Sequence, residues 1–312
     1  MAAAEVSQEA PSTVRWGTPQ GRWVLLASVL GSAVAFLDAT VVNVALPRIA
    51  EDLDAGFSGL QWTLNGYLLT LAALILLGGA LGDRYGRKRV FVIGVVWFAL
   101  ASLLCGLAPT TPVLVAARAL QGVGGALLTP GSLAILQASF VKEDRARAIG
   151  AWSGLGGVAT TFGPFVGGWL VDAVSWRAIF LINLPLAVAV VLVAARHVPE
   201  SRDPSASPHL DVPGAVLGAL GLAGVTYALI EAPERGVGSP LVLVAGIGGV
   251  AAMAGFLLVE SRSPAPMLPL GIFRSHQFTS ANLVTFTIYA ALGATTFLLA
   301  LQLQTVLGYS PI

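Results

Sequence analysis

Two residues in this chain could do proton chemistry from positions where charge is costly. Asp38 interrupts a long apolar run, in Phe36-Leu-Asp-Ala-Thr-Val-Val-Asn-Val-Ala-Leu-Pro47, and Arg118 interrupts another, six residues after Pro112. A charged group near mid-membrane costs about 2.5–3.5 kcal/mol on insertion scales, so it normally faces a partner or water. Asp38 lies nine residues before Pro47. At about 1.5 Å of rise per residue, the two sit roughly 13 and 9 Å from the same membrane face, close enough to pair if their helices are neighbours. Such a pair is either a structural tie that fixes helix packing or a protonatable carboxylate whose affinity is set by burial and a nearby cation. Intramembrane ionisable groups favour the second reading.

Polar amides accompany the pair: Asn43 on the first run, Gln61 and Asn65 near the start of the second, and Gln121 on the fourth. Asn43, Asn65 and Gln121 are candidates to line a cavity. For each alone, a hydrogen bond between helices explains it at least as well. On the fifth run Gly156, Thr160, Gly163 and Gly167 fall at i, i+4, i+7 and i+11, a smooth stripe of small residues, with Pro164 and Gly168 beside it. Small residues let a second helix approach closely, and Pro164 is expected to kink the rod. Packing and a moving contact are both open readings of that stripe.

Other chemistries are not supported. Gly122-Val-Gly-Gly125 lies inside an apolar run with no preceding strand, so it is not a dinucleotide fingerprint, and the basic turn at 79–89 lacks the Gly-Lys-Ser/Thr ending of a phosphate loop. Cys105 is the sole cysteine, and His197, His209 and His276 fall in separate loops, so no disulfide within the chain and no metal centre is expected. No nucleophile–base set is visible. The expectation is a protein that is not an enzyme, without cofactor, nucleotide or nucleic acid.

The elements that must position these residues are helices in lipid. Charged residues make up 11% of the chain and hydrophobic ones 56%, with a mean hydropathy of +0.81 and a net charge of +1. That is far from a soluble domain and gives no basic patch for a nucleic acid. Nine runs, at 23–46, 60–81, 90–108, 112–136, 148–171, 178–195, 212–230, 240–259 and 279–303, approach or exceed the about 20 residues needed to cross a bilayer. No apolar core precedes Trp23, so a cleavable signal peptide is not expected.

Loop charge sets the direction. With the N-terminus cytoplasmic, Arg15, Arg22, Arg84, Arg87, Lys88, Arg89, Lys142, Arg145, Arg147, Arg196, Arg202, Arg262 and Arg274 all lie inside, against Arg48, Arg177 and Arg235 outside. That bias follows the positive-inside rule. The strongest single marker is the turn Gly79-Ala-Leu-Gly-Asp83-Arg84-Tyr-Gly86-Arg87-Lys88-Arg89, trapped between two spans. Proline, serine and charge mark two longer connectors. The expected division is a cytoplasmic tail at 1–22, six helices over 23–196, a cytoplasmic linker at 197–211, two further helices over 212–259, a connector at 260–278, and a ninth helix within 279–312.

At this point the residues resemble the major facilitator superfamily, and within it the fourteen-helix drug:proton antiporters of the EmrB/QacA type. The turn at 79–91, with Gly79, Asp83, Arg84, Gly86, Arg87 and Lys88, resembles the superfamily signature between helices 2 and 3. Residues 37–47 resemble the helix 1 motif of this subfamily, and Leu114-x-x-x-Arg118-x-x-Gln121-Gly122 is similar to the helix 4 motif. Ala159-x-x-x-Gly163-Pro164-x-x-Gly167-Gly168 resembles the antiporter motif of helix 5, with Ala159 where glycine is usual. Trp176-Arg-Ala-Ile-Phe-Leu-Ile-Asn-Leu-Pro185 and residues 301–311 also look like this subfamily.

The resemblance implies an all-α integral membrane protein of the major facilitator fold: an N-terminal six-helix bundle, two extra helices and the first helix of an incomplete C-terminal bundle. It implies a multi-pass cell-membrane exporter of amphipathic small molecules, driven by protons and working by alternating access. Asp38 and Arg118 would couple the protons, the 79–89 turn would act as a cytoplasmic gate, and the helix 5 motif would seal an interface. The alternative is a truncated or half-length chain, active only through self-association or with a completing polypeptide.

Overall fold

The structure is a computed structural model that describes residues 14–204, 206, 210–264 and 266–310. The tail at 1–13, His209 within the first linker, and residues 311–312 lie outside that range. Among the described residues the fold is all-α, and the only strand-like feature is one bridge between Val14 and Phe140.

The helices are α1 (Pro19–Leu53), α2 (Phe57–Tyr85), α3 (Arg87–Gly106), α4 (Thr111–Ser139), α5 (Lys142–Ala173), α6 (Ala178–Leu181), α7 (Asn183–His197), α8 (Val212–Arg235), α9 (Pro240–Arg262) and α10 (His276–Leu301). The first helix begins earlier than the apolar run because Thr18 caps it. The Gly21 N–H donates to Thr18 Oγ1 at 3.1 Å, and Pro19, which has no N–H to leave unsatisfied, starts the first turn. Residues 14–16 are not a free tail. Val14 exchanges backbone hydrogen bonds with Ser139 and Val141, and the Trp16 N–H donates to Asp144 Oδ2 at 2.8 Å.

Two of the nine expected spans differ from their sequence pattern. Among the described residues eight segments are long and apolar enough to cross a membrane, Ala178–His197 being one of them, and α5 is not. Its 32 residues are long enough, but Glu143, Asp144 and Arg145 open it and glycines, threonines and Pro164 dilute its apolar character. The expected span at 178–195 is two helices, α6 and α7, with a break at Ile182. Pro185 explains the break: it has no N–H for the Leu181 carbonyl, and its ring crowds that same carbonyl. His197 and His276 end and begin helices rather than lying in loops.

Helices α1–α7 pack as one bundle, α4 lying against α2 and α3 and α1 against α5, α4 and α7. Two apolar clusters fill it. One holds Val24, Val34, Phe91, Phe98, Leu128 and Ile135, and the other Val41, Leu46, Ile49, Leu114, Ile179 and Phe180. Along α1 and α4 the residues between the two clusters include Asp38 and Arg118, so the polar groups form a layer inside an apolar sandwich. Helices α8 and α9 form a tight hairpin in which a methyl group on Gly224 would meet the Ala245 carbonyl oxygen at 2.5 Å. The α8 end of that hairpin docks on α2. Glu231 accepts from Ser58 Oγ at 2.9 Å and from Trp62 Nε1 at 2.8 Å. Helix α10 is exposed along nearly its whole length and meets the bundle near α1.

Candidate functional site

Asp38 is 0% exposed and Arg118 1% exposed, and Arg118 Nη1 donates to Asp38 Oδ2 at 2.6 Å. Neighbours from several helices add further hydrogen bonds to both. Arg118 Nη1 also donates to Gln121 Oε1 at 2.6 Å, and its Nε donates to the Thr63 carbonyl at 3.0 Å. The guanidinium carbon lies 4.4 Å from the centre of the Tyr67 ring, a favourable cation–π arrangement. Asp38 Oδ1 accepts from Gln121 Nε2 at 2.8 Å and from Asn183 Nδ2 at 3.3 Å. Ser102 Oγ accepts from Gln121 and Asn183 at 3.2 and 3.0 Å, and donates to the Phe180 carbonyl at 2.9 Å. Five helices, α1, α2, α3, α4 and α7, thus converge on one carboxylate.

Gln121 is part of this network and is 0% exposed rather than cavity-facing. Asn43 and Asn65 do line a cavity, of about 510 Å³, together with Thr40, Gln61, Tyr67 and Arg118 on one side and Tyr289, Gly293 and Phe297 of α10 on the other. Each of these asparagines donates its side-chain N–H to the carbonyl four residues earlier, Asn43 to Ala39 and Asn65 to Gln61. Their amide carbonyls have no such intrahelical role. The cavity therefore abuts the buried pair through Arg118 and presents polar atoms on a largely apolar wall, which suits an amphipathic small molecule.

The basic turn is tighter than its sequence implies. Gly86 alone separates α2 from α3, with φ +115°, a conformation that an L side chain rarely adopts. Asp83 Oδ1 accepts from Arg87 Nε at 2.8 Å and Arg87 Nη2 at 2.7 Å, closing the turn with an ion pair. Arg84 stacks over the Tyr85 ring. The part of the linker after α7 folds back onto this turn. Glu200 accepts from the Lys88 N–H at 3.1 Å and the Arg89 N–H at 3.2 Å, while the Arg87 N–H donates to the Ser201 carbonyl at 2.9 Å. The Asp203 N–H donates to the Asp83 carbonyl at 3.0 Å, and Lys88 Nζ to the Ala195 carbonyl at 3.0 Å. The N–H groups that open α3 have no intrahelical acceptor. The linker supplies one, and its carboxylate meets the positive end of the helix dipole.

On α5, Gly156, Gly163, Gly167 and Gly168 are buried while Pro164 is exposed, and the helix continues through Pro164 unbroken. The three glycines of the stripe face α1, whereas Thr160 is exposed and donates to the Gly156 carbonyl of its own helix at 3.0 Å. A methyl group at Gly163 would lie 2.0 Å from Thr40 Oγ1, at Gly156 2.9 Å from the Phe36 ring, and at Gly167 3.0 Å from Val41. These α1 residues bracket Asp38, so α5 packs directly behind the segment that carries the carboxylate.

Sequence reasoning did not single out Thr63, Tyr67, Ser102 or Asn183 at the buried pair, nor Glu200 at the turn. Asn183 had one available signal: it sits inside the 176–185 motif, two residues before the proline that breaks the span.

Residues 28–312 match the family described as Major Facilitator Superfamily. Among curated relatives, the chain is 41% identical over 288 residues to a methylenomycin A resistance protein of Bacillus subtilis (strain 168), covering 92% of this chain and 61% of the relative. It is 39% identical over 288 residues to the multidrug resistance protein Stp of Mycobacterium tuberculosis (strain CDC 1551 / Oshkosh), covering 92% and 53%. The chain thus spans little more than half the length of such relatives. Among solved structures, the peptide transporter POT in complex with sulfate matches with a TM-score of 0.60 at 16% identity, over 82% of this chain and 55% of that one. A bacterial homologue of the human lysosomal transporter Spinster, inward-facing and occupied, matches with a TM-score of 0.52 at 22% identity, over 80% and 64%. These two likenesses concern the fold.

Proposed function

This chain belongs to the major facilitator superfamily, and we propose that it acts as a proton-coupled exporter of amphipathic small molecules, antibiotics among them, of the fourteen-helix antiporter subtype. The observation that carries the reading is the Asp38–Arg118 pair, buried beside an amphipathic cavity in a chain whose relatives are named for drug and antibiotic resistance. In this reading α1–α7 form the N-terminal bundle, α8 and α9 are the two additional helices, and α10 opens a second bundle across the cavity. The N-terminus is cytoplasmic, as the loop charge bias favours.

Asp38 alternates between charged and protonated forms. In the charged form Arg118, Gln121 and Asn183 all donate to it. Protonation from outside removes half of the ion pair, frees Arg118 to re-aim, and lets the helices that converge on it shift between two packings. Substrate occupies the Asn43/Asn65 cavity, and its exit is linked to proton entry by competition for the same buried layer. The turn at 79–89, braced by Asp83–Arg87, serves as the cytoplasmic gate, and the α5 glycines, packed on α1 beside Asp38, seal that interface against proton leak.

The test is export of rhodamine 123, a fluorescent lipophilic cation, from vesicles energised by a pH gradient. The chain should be measured alone and extended with the further helices of a longer relative. Gradient-dependent export that Asp38→Asn abolishes is expected. Export unchanged in Asp38→Asn would refute the proton role.

A further inference from the structure

Asn183 is 1% exposed, and its side-chain carbonyl Oδ1 has no hydrogen-bond partner although it is buried against the Asp38 layer. An orphaned buried acceptor is costly, so its retention calls for a state in which it is used. The other side of the same amide is fully engaged, Nδ2 donating to Ser102 Oγ at 3.0 Å and to Asp38 Oδ1 at 3.3 Å. The nitrogen assignment follows from that pairing, because the Ser102 hydroxyl already donates to the Phe180 carbonyl and can only accept from Asn183.

Hydrogen bonding around Asp38 is arranged for the charged form. Three groups approach it, Arg118 Nη1, Gln121 Nε2 and Asn183 Nδ2, and each is a donor. A proton added to Asp38 turns one carboxylate oxygen into a donor that needs an acceptor. Gln121 Oε1 already accepts from Arg118 at 2.6 Å and from the Cys105 thiol at 3.6 Å. Ser102 Oγ accepts two amide bonds. Among the amide and hydroxyl groups hydrogen-bonded to Asp38 or Ser102, the acceptor left without a donor is Asn183 Oδ1.

We propose that Asn183 is a proton-linked amide switch: its side chain turns by half a rotation when Asp38 is protonated, so that Oδ1 replaces Nδ2 and accepts the new Asp38 O–H. The proton comes from the external solution, no covalent bond other than that O–H forms, and the reverse rotation accompanies its release. Nδ2 gives up its bond to Ser102 in the turned state; Ser102 keeps the Gln121 bond throughout, and its hydroxyl swings from the Phe180 carbonyl to donate to Oδ1 in its new position. The Asn183–Asp38 bond, at 3.3 Å, is the longest and weakest of the three at the carboxylate, so it is the one that exchanges most readily. The titratable and charged groups facing Asp38 are Arg118 from α4, Tyr67 from α2 and Cys105 from α3. Asn183 lies at the break that Pro185 makes between α6 and α7, where the chain is freed from strict helical register. Asn183 is a positioning residue, acting through Asp38. The switch rests on the proton-coupling reading above.

Infrared difference spectra between neutral and acidic pH test it, recorded on the chain in lipid with and without 13C in the asparagine side-chain carbonyl. Acidification should produce a carboxylic-acid C=O band that is lost in Asp38→Asn. It should also produce an isotope-sensitive asparagine carbonyl change that is lost in both Asp38→Asn and Asn183→Thr. The Asn183→Thr variant keeps a group that can both donate and accept, so it should retain the Asp38 band and report that the bundle is folded. An Asp38 band without any isotope-sensitive asparagine change overturns the switch and leaves proton coupling intact. Absence of an Asp38 band in the wild-type chain overturns both.

Discussion

At the scale of single residues, the buried pair decides more than any other contact. Removing one partner of a buried ion pair leaves an uncompensated charge and destabilises by about 3–5 kcal/mol. Arg118→Leu is therefore expected to lower the unfolding midpoint in detergent markedly, and Asp38→Leu combined with it to recover much of the loss. Arg118→Lys is not conservative here. The ammonium cannot reach Asp38, Gln121 and the Thr63 carbonyl together, so export should fall although the charge is kept. Asp38 and Arg118 were legible in the sequence because each is a charge inside an apolar run. Their partners Thr63, Ser102 and Asn183 were not, because a hydroxyl, an amide or a backbone carbonyl becomes notable only when helix register brings it to the carboxylate. For Gln121 the sequence left a cavity and an interhelical hydrogen bond both open, and the structure shows the hydrogen bonds; which partners it meets depends on the rotation of α4.

At the scale of elements, the glycines of α5 give a paired prediction. Gly163 faces Thr40 across the α1–α5 contact, whereas a methyl group at Gly157 meets nothing within 4 Å. Gly163→Ala should push α5 off α1, costing about 1–3 kcal/mol of stability and impairing export. Gly157→Ala should be neutral or stabilise by up to about 1 kcal/mol through helix propensity. Thermal unfolding of the two variants side by side checks this. At the turn, Glu200→Ala removes the carboxylate that caps α3, an effect of about 1 kcal/mol, and should speed amide hydrogen exchange at Lys88 and Arg89 without altering exchange at the buried pair. The composition of 196–211 reads as an exposed linker, and no pattern in it reports that Glu200 reverses onto a turn more than one hundred residues earlier. By contrast the break at Ile182 could have been read from Pro185, and the apolar length of most spans was plain because lipid demands it.

At the scale of the whole molecule, the bundle is a set of helices that share one buried polar layer, and that layer adjoins a cavity lined on its far side by α10. The α8–α9 hairpin is tied to α2 at Ser58 and Trp62, the same helix that carries Gln61 and Asn65 into the cavity. Glu231→Gln should loosen that docking and leave proton binding at Asp38 unchanged, separating attachment of the hairpin from coupling. The most direct measurement of the coupling itself is stoichiometric: external pH recorded while rhodamine 123 is driven through vesicles containing the chain, in parallel with Asp38→Asn. Substrate movement in one direction with proton movement in the other, both lost together in Asp38→Asn, is the predicted result. Substrate movement without proton counterflow, or counterflow that survives in Asp38→Asn, would contradict a coupling carried by this buried pair.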